Sequence, residues 1–174
     1  MKTIQKPVKE TYPAYYEKYV SLVKSENIFE EMYSEHFETI ELVTSVDEET
    51  LQFRYEEGKW NIREILQHLI DCERIFNYRA LRFARADQSS QPGFDDEAYI
   101  VASKASERNI NDLVREFSVV RAATVELFKS FSDEMLDRKG IANNNETTVR
   151  AILYIILGHE IHHRNIIDEK YLPK

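Results

Sequence analysis

A chain of 174 residues, 43% hydrophobic and 31% charged, can bury a real core, and no apolar run approaches the roughly 20 residues that span a bilayer. Its net charge of −8 and pI of about 5.2 oppose nucleic acid binding, which depends on Lys and Arg at phosphates. The single cysteine, Cys72, excludes an internal disulfide.

The stretch Met1 to Glu10 alternates Lys with polar residues and has no apolar signal region, so the expectation is one cytoplasmic domain over 1–174. Within it, residues 1–24 read as an aromatic arm, carrying Tyr12, Tyr15, Tyr16 and Tyr19, packed on a helical bundle. A first helix is predicted from Glu26 to Ser45, where Phe29, Met32, Tyr33, His36, Phe37, Ile40 and Val43 recur at three- and four-residue steps.

The second helix has a clear start. Asn61 followed by Glu64 is a capping-box pattern, and Trp60 is placed to staple onto Ile65. Ile62, Ile65, Leu69, Cys72 and Phe76 form its stripe, and its end falls near Asp87. Its basic cluster of Arg74, Arg79, Arg82 and Arg85 is interleaved with Asp71, Glu73 and Asp87, which reads as a solvated, salt-bridged face. Pro92 and Gly93 then forbid helix, and the length of the connection predicts a crossover.

A third helix is predicted over Arg108 to Phe131, with Leu113, Phe117, Val120, Thr124, Leu127 and Phe131 inward, followed by a helical turn at "SDEML". "KGIANNNE" reads as a polar loop. Thr147 or Thr148 caps a last helix to about Glu169, with Val149, Ile152, Ile156, His159, His163 and Ile166 as its stripe. Four glycines and four prolines are too few for the turns of a multi-stranded sheet. The fold class is all-α: a four-helix bundle with a long crossover between helices 2 and 3.

The histidines carry the chemistry. At about 100° per residue, His159 and His163 differ by about 40° and one turn, so both leave the same face, and two imidazoles so spaced can chelate one ion. His68 sits between Ile65 and Cys72 on the inward stripe of the second helix, close enough in a bundle to complete a three-imidazole site with open positions. The plainer alternative is a set of hydrogen-bonded core histidines, although two unpaired imidazoles are hard to satisfy in a core. His36 reads as structural or surface, and His162 as a flanking group. Cys72, four residues from His68, is spaced for coordination but reads better as a small core residue.

"HEIHH" also matches the H-E-x-x-H helix of zinc proteases, but only eleven residues follow His163 and no strand pattern supplies a peptide-binding edge. A di-iron bundle needs two E-x-x-H units, and Ile65 stands where the second glutamate should be.

The stretches "GKWNIREILQHLIDCERIFNYRALRFARAD", "PGFDDEAY", "VVRAATVELFKSF" and "TTVRAILYIILGHEIHHRNIIDEKYL" resemble the DinB/YfiT-like superfamily, in particular its DinB_2 branch. The resemblance runs from about Glu48 onward and rests on W-x-x-R-E-x-x-x-H and G-H-x-x-H-H. It implies metal ligation by His68, His159 and His163, homodimers, and reactions that join low-molecular-weight thiols to electrophilic small molecules. It also implies a divalent metal: zinc or nickel first, iron or manganese next. The competing expectations are a hydrolase using metal-bound water and a non-catalytic metal-binding stress protein. For a hydrolase, Glu160 is a candidate base about 80° from the shared histidine direction, and Asp71 could orient His68. For both acids the simpler reading is a surface or helix-pairing carboxylate.

Overall fold

The computed structural model describes residues 3–172, so the first two and last two residues of the expected 1–174 domain, and the start of the arm, lie outside it. The arm forms two 3-10 turns and a short α1 (Glu17–Val20), which packs on the last helix. Then come α2 (Ile28–Ser45), α3 (Glu48–Gln52), α4 (Ile62–Ala84), α5 (Asp96–Ser103), α6 (Ile110–Lys129), α7 (Asp133–Asp137) and α8 (Val149–Lys170). The long helices α2, α4, α6 and α8 make the bundle, with α4 against α6 and α8, and α2 against the same pair.

Helix starts follow local chemistry. Asn61 accepts from the Glu64 amide at 3.0 Å while Glu64 accepts from the Asn61 amide at 2.8 Å, so two orphan donors of α4 are satisfied reciprocally. Thr148, rather than Thr147, caps α8 by accepting from the Ala151 amide. Trp60 packs against the cluster that contains Ile65.

Two expectations need correction. The "KGIANNNE" loop is a hairpin of β1 (Lys139–Ala142) and β2 (Asn145–Thr148), in register Lys139↔Thr148 and Ala142↔Asn145. Asn143 and Asn144 turn it with φ of 47° and 61°, the left-handed pair a tight hairpin needs and Asn tolerates. Gly140 lets β1 lie on α4, because a Cβ there would fall 2.0 Å from the Phe83 ring. The crossover is also partly helical: Pro92 and Gly93 are extended, but Asp95 accepts from the Ala98 amide and starts α5. The Gln91 amide donates to Ile141 and the Asn143 amide to Gln91, tying crossover to hairpin.

On α2 the buried stripe is Phe29, Met32, His36, Thr39 and Val43. Tyr33 and Phe37, expected inside, are exposed because the stripe turns them about 100° away from Met32 and His36. Leu127 and Ile166 are half-buried, and their neighbours Phe128 and Ile167 take the interior positions. The basic cluster divides: Arg74 pairs with Glu116 and Arg82 with Asp87 as a salt-bridged face, whereas Arg79 is buried.

The core has two apolar clusters, one around Phe76, Phe83, Phe128 and Ile152, the other around Leu51, Ile65, Leu113 and Ile167. Near where these clusters meet, every long helix carries buried polar residues: His36 and Thr39, His68 and Glu73, Arg121 and Thr124, His159 and Glu160. The site lies in this layer.

Candidate metal centre

His68 from α4 and His159 and His163 from α8 meet at their ring tips. The Nε2 atom of His159 lies 3.1 Å from Nε2 of His68 and 3.0 Å from Nε2 of His163. Three imidazoles around one tetrahedral ion, at about 2.0–2.1 Å from it, would stand about 3.4 Å apart. For these two pairs the rings need to open by only a few tenths of an ångström.

Their charge state suits the same purpose. Burial pushes the pKa of His68 down to about 4, and burial with the neighbouring imidazoles holds His159 and His163 well below the ordinary value. All three are neutral at pH 7. One Nε2 can either donate or accept once in its ring plane, so His159 cannot satisfy both neighbours by hydrogen bonding. A cation at the meeting point accepts all three lone pairs, and the donor set therefore fits a divalent metal.

Cys72 is close as well. Its Sγ, an imidazole nitrogen of His68 and one of His159 all lie within 4.8 Å of one another. Yet Sγ is 3.6 Å from Nδ1 and 3.7 Å from Nε2 of His68, nearly equidistant, so it stands off the axis of the Nε2 lone pair. Burial also raises its thiol pKa.

The other candidates separate clearly. His162 is half-buried, edge-on to Tyr19 and His163, and flanks the trio. Glu160 faces away: its Oε2 accepts from Arg121 at 2.6 Å, and Arg121 also bonds Glu73 through Nε and Nη2. Burial opposes the Arg121 charge, but Glu160 and Glu73 overcome it and hold the guanidinium firmly protonated. Asp71 accepts from Gln67 at 2.9 Å rather than from His68. His36 is in the core, its Nε2 3.0 Å from Ser118 Oγ.

Three site residues were missed in the sequence. Asp96, the first residue of α5, brings Oδ1 to 3.7 Å from Nδ1 of His68, close but beyond hydrogen-bond reach; burial, then Asp95 and Glu97, raise its pKa. Trp60 lies with its ring centre 4.6 Å from that of His68, held by Nε1 donating to Glu97 at 3.0 Å. Tyr19 stands edge-on to His159 at 5.1 Å. Asp96 and Tyr19 lie in segments without long periodicity, and the Asp95 cap of α5 emerges only in the structure.

In front of the trio opens a cavity of about 510 Å³. The stripe of α4 forms its floor, the arm contributes Tyr16 and Tyr19, the crossover Phe94 and Asp96, and the hairpin Asn143 and Asn145.

Fold and site together define a four-helix bundle with a three-histidine cluster at the base of an aromatic pocket. Residues 33–167 match the DinB superfamily, and the chain belongs to it. It is 27% identical over 125 residues, 71% of each chain, to a protein of Oceanobacillus iheyensis named "Putative metal-dependent hydrolase". It superposes on YfiT from Bacillus subtilis, described as "a probable metal-dependent hydrolase with an unusual four-helix bundle topology", with a TM-score of 0.68, 16% identity, and coverage of 93% of this chain and 95% of that one. Among the described residues no helix is long and apolar enough to cross a membrane.

Proposed function

We propose that this protein is a metal-dependent enzyme that transfers a low-molecular-weight thiol to an electrophilic small molecule, with His68, His159 and His163 holding the metal. The observation that carries the reading is the convergence of three neutral Nε2 atoms at the base of a pocket wide enough for two small reactants. Bound there, a divalent metal, zinc or nickel being the first expectation, would lower the pKa of a thiol and present it as thiolate at neutral pH.

The chain's own residues do the rest. Trp60 packs on the His68 ring, Asp96 puts a carboxylate beside it, and Tyr19 stands edge-on to His159. Tyr16, Phe76 and Phe94 offer an apolar bed for the electrophile. Carbon–sulfur bond formation expels the leaving group with its electron pair, and the thiol proton passes to water. Thiol transfer needs no strong base from the protein, and the base expected of a hydrolase, Glu160, and the carboxylate expected to orient His68, Asp71, are both engaged elsewhere.

Hydrolysis by metal-bound water is the second reading, favoured by the names of the relatives and by Asp96 as a carboxylate lining the pocket. A cytoplasmic homodimer is part of the proposal, and the exposed Tyr33 and Phe37, one turn apart on α2, offer an apolar strip for it. Purified protein loaded with zinc or nickel should consume a thiol with a test electrophile, and His159→Ala should lose both metal and rate. Equal rates would end the transferase reading; ester cleavage with no thiol present would establish the hydrolase.

A further inference from the structure

Arg63, Arg79 and Arg121 are the buried arginines among the described residues. Arg121 lies between Glu73 and Glu160, and Arg63 is paired with Glu48. Arg79 has no carboxylate partner among the described residues. Its Nη2 donates to the Pro92 carbonyl at 2.8 Å, and its guanidinium lies 5.8 and 5.7 Å from the ring centres of Phe76 and Phe94. Nε and Nη1 make no hydrogen bond to a described residue. Burial disfavours the charge, yet an arginine stays protonated at any working pH. A cation without a carboxylate partner at the wall of a pocket is compensated when a ligand of opposite charge enters.

Its position gives the charge a direction. Arg79 is eleven residues beyond His68 on α4, which returns it to within about 20° of the same face and about 16 Å along the axis. His68, Cys72, Phe76 and Arg79 therefore line one cavity in sequence, with imidazoles at one end and guanidinium at the other. Asn143 and Asn145 supply neutral amides to the lining. One cation with amide donors matches a single negative charge, and the free guanidinium edge matches the planar fork of a carboxylate.

We infer that Arg79 is the carboxylate-recognition residue of the pocket, which takes a small carboxylic acid with an apolar body. Nη2 carries two N–H groups, and the carboxylate pairs with the guanidinium edge that the Pro92 carbonyl leaves open; the body lies along Phe76 and Phe94, and the far end reaches the three histidines. Only that far end rests on the proposed metal chemistry.

Calorimetric titration with phenylbutyrate and its neutral isostere phenylbutyramide tests the assignment, using metal-free and zinc-loaded protein. A charged hydrogen bond of about 1.5–3 kcal/mol corresponds to a preference of roughly tenfold to a hundredfold for the acid. That preference is expected in both forms of the wild type, is abolished in Arg79→Gln, and survives at reduced size in Arg79→Lys. Equal affinities, no binding of either compound, or a preference that persists in Arg79→Gln overturns the inference. If Arg79→Gln fails to fold, Arg79→Lys decides, because an unchanged ratio there would mean that the guanidinium is not the receptor. The metal-free arm keeps this result separate from any failure of metal binding.

Discussion

Glu160 follows His159 in the chain and points the other way, into the polar layer where Arg121 holds it beside Glu73. Glu160→Gln leaves Arg121 paired with Glu73 and removes one charge-assisted hydrogen bond, so it should lose about 1.5–3 kcal/mol of stability in urea denaturation. Its metal content by elemental analysis should stay unchanged. His36 sets a pH dependence in the same layer. Burial, and then the Arg121 charge, push its pKa from 6.5 down to about 3, so it is neutral when folded. The unfolded chain takes up that proton below about pH 6.5, so this contribution to stability is full above pH 6.5 and is lost as pH falls through about 3. In metal-free protein His36→Gln should flatten the slope of stability against pH in that window; an unchanged slope would mean the ring is already charged in the fold. The convergence of His68, His159 and His163 was legible because helical spacing fixes direction. The partners of Glu160 and the approach of Asp96 depend on which faces of distant segments meet, and spacing within one helix carries no such information.

Among elements, the arm shows how a single missing side chain positions a segment. Gly158 lets α1 press against α8, and a Cβ there would stand 2.1 Å from the Tyr19 carbonyl oxygen, a backbone atom that cannot swing aside. Gly158→Ala should therefore lose about 1–3 kcal/mol. It should also expose the arm to protease before the bundle opens, and resistance equal to wild type would show that the contact can adjust. The four long helices were readable from periodicity, and the start of α4 from its reciprocal cap. The hairpin was not. β1 and β2 have four residues each, too short for alternation to register, and their turn uses Asn where glycine is the familiar signal. Tyr33 and Phe37 misled because hydrophobicity alone does not separate a core stripe from an exposed edge; His36 and Thr39, both polar, took the inner positions.

For the whole molecule, a layer of buried polar groups lies where the two apolar clusters meet, and the proposed metal site would join α4 to α8 within that layer. If the three histidines hold an ion, ligand linkage stabilises the fold by about 2.7 kcal/mol at a hundredfold excess over Kd. For a chain of this size that is roughly 5–10 °C in Tm. Zinc titration should raise Tm in the wild type and leave His68→Ala unmoved, read by thermal denaturation; a rise of equal size in both would place the ion elsewhere.

The separation of 91 residues between His68 and His159 also sets a timetable. On a ribosome adding about 5–20 residues per second, the first imidazole waits roughly 5 to 18 s for the second to be made. Through that interval the nascent chain offers a lone ring, a weak and unselective trap. If the three histidines hold an ion, its acquisition belongs to the finished polypeptide, and whichever ion is abundant and exchangeable after release is the one such a site would keep.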